Sequence, residues 1–279
     1  MNGVNCYKLP TKFLKNSKYQ QTLGGVMFYP LILLLFICSV SYAQDSKQQK
    51  RHAQTVTVAT DEWPPFRIYQ QDKTFTGFDI DLLDAISDIT DLQFSVKRTP
   101  WSRALKKIEH NQVDLMTGLA YTRDRATYIH YVVFPYFTCQ PAFYIQKSLK
   151  QDILTYQDLY KYKIGYVLNS AYFEPFNSDP AIERHGVVTE SQLLKMAEKG
   201  RLDLFIGTDC QVDYEITKQK LWGKLKKATF QPDYNVKLYL GLSLQQKDIN
   251  LSRKIGNALV ELDKSGKLQK IKNKYFSAQ

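Results

Sequence analysis

The stretch VDLMTGLAYTRDRATYIHYVVFPY, residues 113–136, decides how the chain is read. Residues 113–119 form a short apolar strand. Thr122, Asp124 and Arg125 stand just beyond its end, ahead of a Phe134-Pro135-Tyr136 element. An arginine fixed on a short turn past a strand end presents a planar fork of donors, which suits two-point capture of a carboxylate better than a lysine does. Arg125 is therefore the first candidate binding residue. Thr122 would add a hydroxyl, and the backbone from Gly118 to Ala120 further donors and acceptors. Arg123 has the blander reading of a solvated surface arginine.

Strand and helix signals alternate on both sides of this stretch, which argues for an α/β protein with mainly parallel sheets. Residues 55–60 are a β-branched strand. Gly77-Phe78-Asp79 then opens a helix whose Leu82, Ile86 and Ile89 recur at helical spacing, with Asp79 and Asp81 at its positive end. Residues 92–97 read as strand, and after Pro100 the residues Trp101, Ala104, Leu105 and Ile108 make a helical stripe that assigns Trp101 to the core. The second half echoes the first: NQVDLMTG (111–118) and GRLDLFIG (200–207) share a polar lead, an Asp-Leu step, an apolar pair and a closing glycine. Two similar α/β lobes produce such an echo. Further strands are expected over 163–167 and 236–244, and helices near Ser170, over 191–199, around Ile255 to Leu262, and from Leu268 to Tyr275.

Residues 1–43 are of different material. Four lysines and no acid precede an apolar run over 26–40, too short to span a bilayer, and Ser41-Tyr42-Ala43 offers small residues at cleavage spacing. This reads as a cleavable secretory signal, with Gln44 starting the exported protein and a short tail over 44–54. Losing those four lysines takes the formal charge from +11 to +7. The lysines that remain are scattered or lie on a solvated helix face near 264–274, with no basic stripe or stacking platform, so nucleic acid is excluded as a partner. The four histidines share no motif and no CxxC is present, so neither a metal nor a cofactor is implied. Cys139 and Cys210, both in the exported part, are free to pair if geometry allows.

In order and spacing the motifs resemble the periplasmic solute-binding proteins of the polar amino-acid class, family 3, which serve ABC-type importers. The resemblance rests on Ala59-Thr60-Asp61 with Trp63-Pro64-Pro65-Phe66, on Gly77-Phe78-Asp79-Ile80-Asp81-Leu82, on Val113-Asp114 leading to Thr122-x-x-Arg125 and Pro135-Tyr136, and on the closing stretch 255–276. It implies a two-lobed clamp of α/β class, lobe two inserted into lobe one across a two-strand hinge. Lobe one would comprise 55–142 and 237–279, and lobe two 143–236. It further implies a periplasmic monomer that binds an amino acid or related carboxylate and hands it to an inner-membrane permease or a receptor.

Candidate binding residues then follow strand ends, where open α/β sheets hold ligands: Asp61 and Trp63, Gly118 to Arg125, Asn169 to Tyr172, and Thr208 with Asp209. Free N–H groups at a helix starting near Asn169-Ser170-Ala171-Tyr172 would add lobe two's grip on the carboxylate. Trp63 and Phe66 would wall the side chain. Asp61 is the first candidate for an amine. In lobe two the family usually places an aspartate where this chain has Thr208, so either Asp209 takes that role or the contact is missing. A dehydratase on the same clamp is the competing enzyme reading, with Asp61, Asp209 or Glu174 as the nominal acid, but none carries a catalytic signature.

Overall fold

The computed structural model describes residues 54–245 and 249–276. The expected signal sequence over 1–43 and all of the expected tail but Gln54 lie outside the described residues. Among the described residues no helix is long and apolar enough to cross a membrane.

The first sheet starts with β1 (Gln54–Thr60), followed by a small hairpin of β2 (Ile68–Tyr69) and β3 (Phe75–Thr76), then α1 (Phe78–Thr90), β4 (Leu92–Arg98), α2 (Trp101–Glu109), β5 (Leu115–Ala120), β6 (Ile129–Tyr131) and β7 (Phe137–Cys139). The chain then enters β8 (Pro141–Gln146), β9 (Ile164–Val167), β10 (Arg184–Val187), α3 (Glu190–Glu198), β11 (Leu204–Thr208), α4 (Asp209–Lys218) and β12 (Leu225–Lys227). It returns through β13 (Val236–Ser243) and closes with α5 (Ile249–Lys264) and α6 (Lys267–Phe276).

These strands make two large sheets, ordered β4-β1-β5-β13-β6 with β7 on β13, and β10-β9-β11-β8-β12. Both are mixed rather than mainly parallel. β13 runs antiparallel to β5, and β8 antiparallel to β11, because each belongs to a strand that crosses between the lobes and runs against its neighbours. The crossings lie side by side: Cys139 of β7 pairs with Val236 of β13 just before β7 passes through Gln140 into β8. The two echoed sequence segments occupy matching places, since β5 stands between β1 and β13 as β11 stands between β9 and β8. The result is the α/β two-lobe fold of periplasmic binding proteins.

Each lobe has its own core. Leu82, Leu83 and Ile86 of α1 and Ile255, Leu259 and Leu262 of α5 pack on one face of the first sheet, joined by the aromatic cluster of Phe66, Phe78, Phe137 and Phe276. Ala104, Leu105 and Ile108 of α2 cover the other face. The second sheet is likewise covered on both faces, by α3 and α4 on one side and by Phe143, Phe173 and Phe176 on the other. The expected helix near Ser170 is not there. Asn169 takes a left-handed backbone (φ 60°) and the chain runs in turns to the Glu174-Pro175 step, a sequence that disfavours helix at the residue before proline.

Candidate functional site

The strand ends of both sheets face one cleft, lined from lobe one by Asp61, Glu62, Trp63, Arg67, Trp101, Gly118, Ala120 and Arg125, and from lobe two by Ser170, Ala171, Tyr172, Thr189, Glu190 and Thr208. Arg125 opens a short 3-10 turn and is 5% exposed. Burial lowers its pKa, while Tyr131, Tyr128 and Asp124 favour its charge. Its fork already joins the lobes: Nη1 donates to the Ala120 carbonyl at 2.9 Å and Nη2 to the Asn169 carbonyl at 2.6 Å. The guanidinium carbon lies 5.5 Å from the Trp101 ring centre, so one face of the fork rests on an indole. Of the five guanidinium N–H donors, two bond these carbonyls.

Several expected roles change. Thr122 is not in the lining. Its hydroxyl accepts the Arg125 backbone N–H at 3.1 Å and so fixes the turn that aims the arginine. Phe66 is fully buried behind Trp63, stacked on it at 4.4 Å between ring centres, so of this pair only Trp63 lines the cleft. Asn169 does not open a helix. Its carbonyl accepts from Arg125 and from the Trp101 indole at 3.1 Å, and its side-chain amide donates to the Ser102 hydroxyl at 2.7 Å. The neighbouring amides are partly spent as well, Ser170 N–H on the Val167 carbonyl and Tyr172 N–H on the Asn177 side chain.

Asp209 is also engaged elsewhere. Its carboxylate accepts the Gln140 and Cys210 amides at 2.8 and 2.7 Å, anchoring α4 to the crossing strand, and Thr208 faces the cleft instead. Asp61 lines the cleft, with its carbonyl accepting from Arg67 Nε at 2.9 Å and its carboxylate accepting the Glu62 amide and Arg98 Nε at 2.9 and 3.4 Å.

Arg67, Trp101 and Glu190 were not among the candidates. Arg67 is 3% exposed and bonds Asp79, the Thr117 hydroxyl and the Asp61 carbonyl, its guanidinium 5.0 Å from the Trp63 ring centre. Asp79 thus serves as a buried ion-pair partner rather than a helix-end charge. It also accepts the Tyr136 hydroxyl at 3.0 Å, and that hydroxyl in turn accepts the Gly118 amide at 2.8 Å. Burial and the Asp79 charge push the Tyr136 hydroxyl's pKa well above its ordinary value.

Gly118 makes this network possible. Its φ is +71°, and a Cβ there would lie 2.6 Å from Arg67 Nη1, which is held by Asp79 and the Thr117 hydroxyl while Nε is held by the Asp61 carbonyl. Gly118→Ala is expected to cost about 1–2 kcal/mol from left-handed strain alone, read as a lower urea midpoint, with weaker ligand binding as Arg67 shifts.

Glu190 begins α3 at the far rim, close to Asp61, Arg67 and Trp63. Burial above all pushes its carboxyl up to about 7, with a smaller push from the Asp61 charge, against the opposing pull of its own backbone N–H, of Arg67 and of the Trp63 indole.

The geometry describes a cleft between two lobes lined by charged, polar and aromatic groups, and similarity to known proteins fits such a fold. Residues 56–278 match the family of bacterial extracellular solute-binding proteins, family 3. The "Probable amino-acid-binding protein YxeM" of Bacillus subtilis (strain 168) is 24% identical over 222 residues, covering 78% of this chain and 82% of that protein. Among solved structures, an ancestral arginine-binding protein bound to arginine aligns with TM-score 0.71 at 21% identity, over 81% of this chain and all of that one. A histidine kinase sensor domain similar to periplasmic binding proteins aligns with TM-score 0.73 at 17% identity, over 82% of this chain and 98% of that one. With the family model matched from β1 into the closing helices, this chain belongs to the bacterial extracellular solute-binding proteins, family 3.

Proposed function

We propose that the cleft captures an amino acid by closing on it, with Arg125 holding the α-carboxylate, and that the protein carries it in the periplasm to an inner-membrane ABC permease. One observation carries the reading: Arg125, aimed by Thr122 and backed by Trp101, reaches from lobe one to the backbone of lobe two inside the cleft. A ligand carboxylate placed there meets the same fork and the Ser170 to Tyr172 segment together. Such a ligand touches both lobes only when they are closed, so binding shifts the population toward the closed form. The reading is binding without chemistry.

The names of similar proteins support the ligand class, since one is called amino-acid-binding and another is bound to arginine. The test is a thermal-shift panel of amino and organic acids followed by calorimetry. A true ligand at 100 times its Kd adds about 2.7 kcal/mol to the folded state. Arg125→Ala is expected to weaken binding by about 100-fold or more, and Arg125→Lys to recover little, because an ammonium lacks the planar fork. A flat panel, or an alanine variant that binds as well as wild type, removes the proposal.

A further inference from the structure

We propose that Glu190 receives the cationic group of the ligand, so that Arg125 and Glu190 hold opposite charges of one zwitterion and simple organic acids are discriminated against. The inference rests on the amino-acid reading above and names the partner of the ligand's second charge.

Elimination comes first. Thr208 faces the cleft without a charge, and the neighbouring Asp209 carboxylate is spent on the Gln140 and Cys210 amides. The carboxylates lining the cleft are Asp61, Glu62 and Glu190. Asp61 takes the Glu62 amide and Arg98, and Glu62 faces Arg98 at 3.6 Å. Glu190 takes its own backbone N–H and the Trp63 indole, but it joins none of the ion pairs among the described residues.

Position comes second. Glu190 lines both the cleft and an adjoining cavity that continues behind Asp61 and Glu62 to Gln211 and Glu215, with Arg98 and Lys218 also on its wall. Gln211 is 1% exposed, and its side-chain oxygen has no hydrogen-bond donor. An unpaired buried acceptor beside carboxylates is the chemistry that an ammonium or guanidinium satisfies and that a second anion does not. Among the described residues, the charged groups that share these two linings with Glu190 are Asp61, Glu62, Arg67, Arg98 and Arg125 from lobe one, with Glu215 and Lys218 from α4.

Electrostatics agrees with this placement. A cleft carboxyl pushed up to about 7 is partly protonated at neutral pH, and an arriving cation makes it ionise. Binding a cationic group therefore releases a proton near neutrality, and affinity rises as pH climbs from about 6 to about 8 and then levels.

The experiment is calorimetry on wild type, Glu190→Gln and Glu190→Asp, using L-arginine, L-histidine and L-glutamine, each beside its des-amino carboxylic acid. Runs at pH 7 in phosphate and in Tris separate out proton release. Wild type is expected to prefer an amino acid over its des-amino analogue by about 100-fold and to release about half a proton. Glu190→Gln is expected to cut that preference to under about 10-fold and abolish the release while still binding the carboxylate, and Glu190→Asp to keep most of the preference. Undiminished preference and proton release in Glu190→Gln overturn the assignment and leave amino-acid capture standing. Wild type that binds no member of the panel overturns the capture reading and this assignment with it.

Discussion

Asp79→Ala is expected to destabilise the protein by about 3–5 kcal/mol, because it strands the Arg67 guanidinium in a dry site without its counter-charge. Asp79 is fully buried and Arg67 is 3% exposed, so water cannot take over the lost contact. The Tyr136 hydroxyl also loses its acceptor, and with it the orientation that receives the Gly118 amide. The damage extends to function: Arg67 lines the cleft beside Trp63 and Glu190, and an unanchored Arg67 no longer holds that wall. Chemical denaturation measures the first effect and titration with ligand the second. The double variant Arg67→Met/Asp79→Ala is expected to regain much of the stability but not the affinity, since replacing both members of a buried pair removes the stranded charge while deleting the cleft residue. A single variant within about 1 kcal/mol of wild type would show that the pair does not organise this wall.

The alternation of elements was legible because it depends on local spacing. Leu82 and Ile86 of the first stripe and Ile255, Leu259 and Leu262 of the later one are buried in the helices that their periodicity predicts, Ile89 alone standing 37% exposed near the end of its helix, and the stretch 113–136 holds the arginine that bridges the lobes. What stayed hidden depends on contacts between distant segments. Nothing near Arg67 in sequence announces that its partner is Asp79 or that Gly118 must lack a side chain to admit it. Thr122 and Asn169 show the same limit: both stand near the cleft, yet their polar atoms are satisfied by protein groups. Trp101 and Glu190 were missed for a different reason. Neither residue directly follows a strand; each opens the helix beyond one, and α2 and α3 begin at the same rim as β4 and β10 end. Helical spacing sent Trp101 to the core, but a helix's first turn lies at its end, where one residue touches both stripe and cleft.

Reduction of the Cys139–Cys210 disulfide, or its replacement by serines, is expected to lower the melting temperature by roughly 10 °C. The bond closes a loop of 71 residues, and in the chain-entropy model a loop of that length restrains the unfolded chain by about 4 kcal/mol. For a domain of this size each kcal/mol moves the midpoint by about 2–4 °C. Its location gives the bond a second consequence. Cys139 ends the crossing strand β7, and Cys210 lies in the first turn of α4, so the loop it closes contains β8 to β11 and starts and ends at the hinge. The Asp209 carboxylate and backbone N–H bind Gln140 independently of the sulfurs, which keeps Thr208 at the cleft when the bond is broken. Ligand affinity at 25 °C is therefore expected to survive reduction while thermal resistance does not. Calorimetric titration and a melting curve, each with and without dithiothreitol, separate the two effects. If affinity fell in step with stability, the disulfide and not Asp209 would be what holds α4 in register with the hinge.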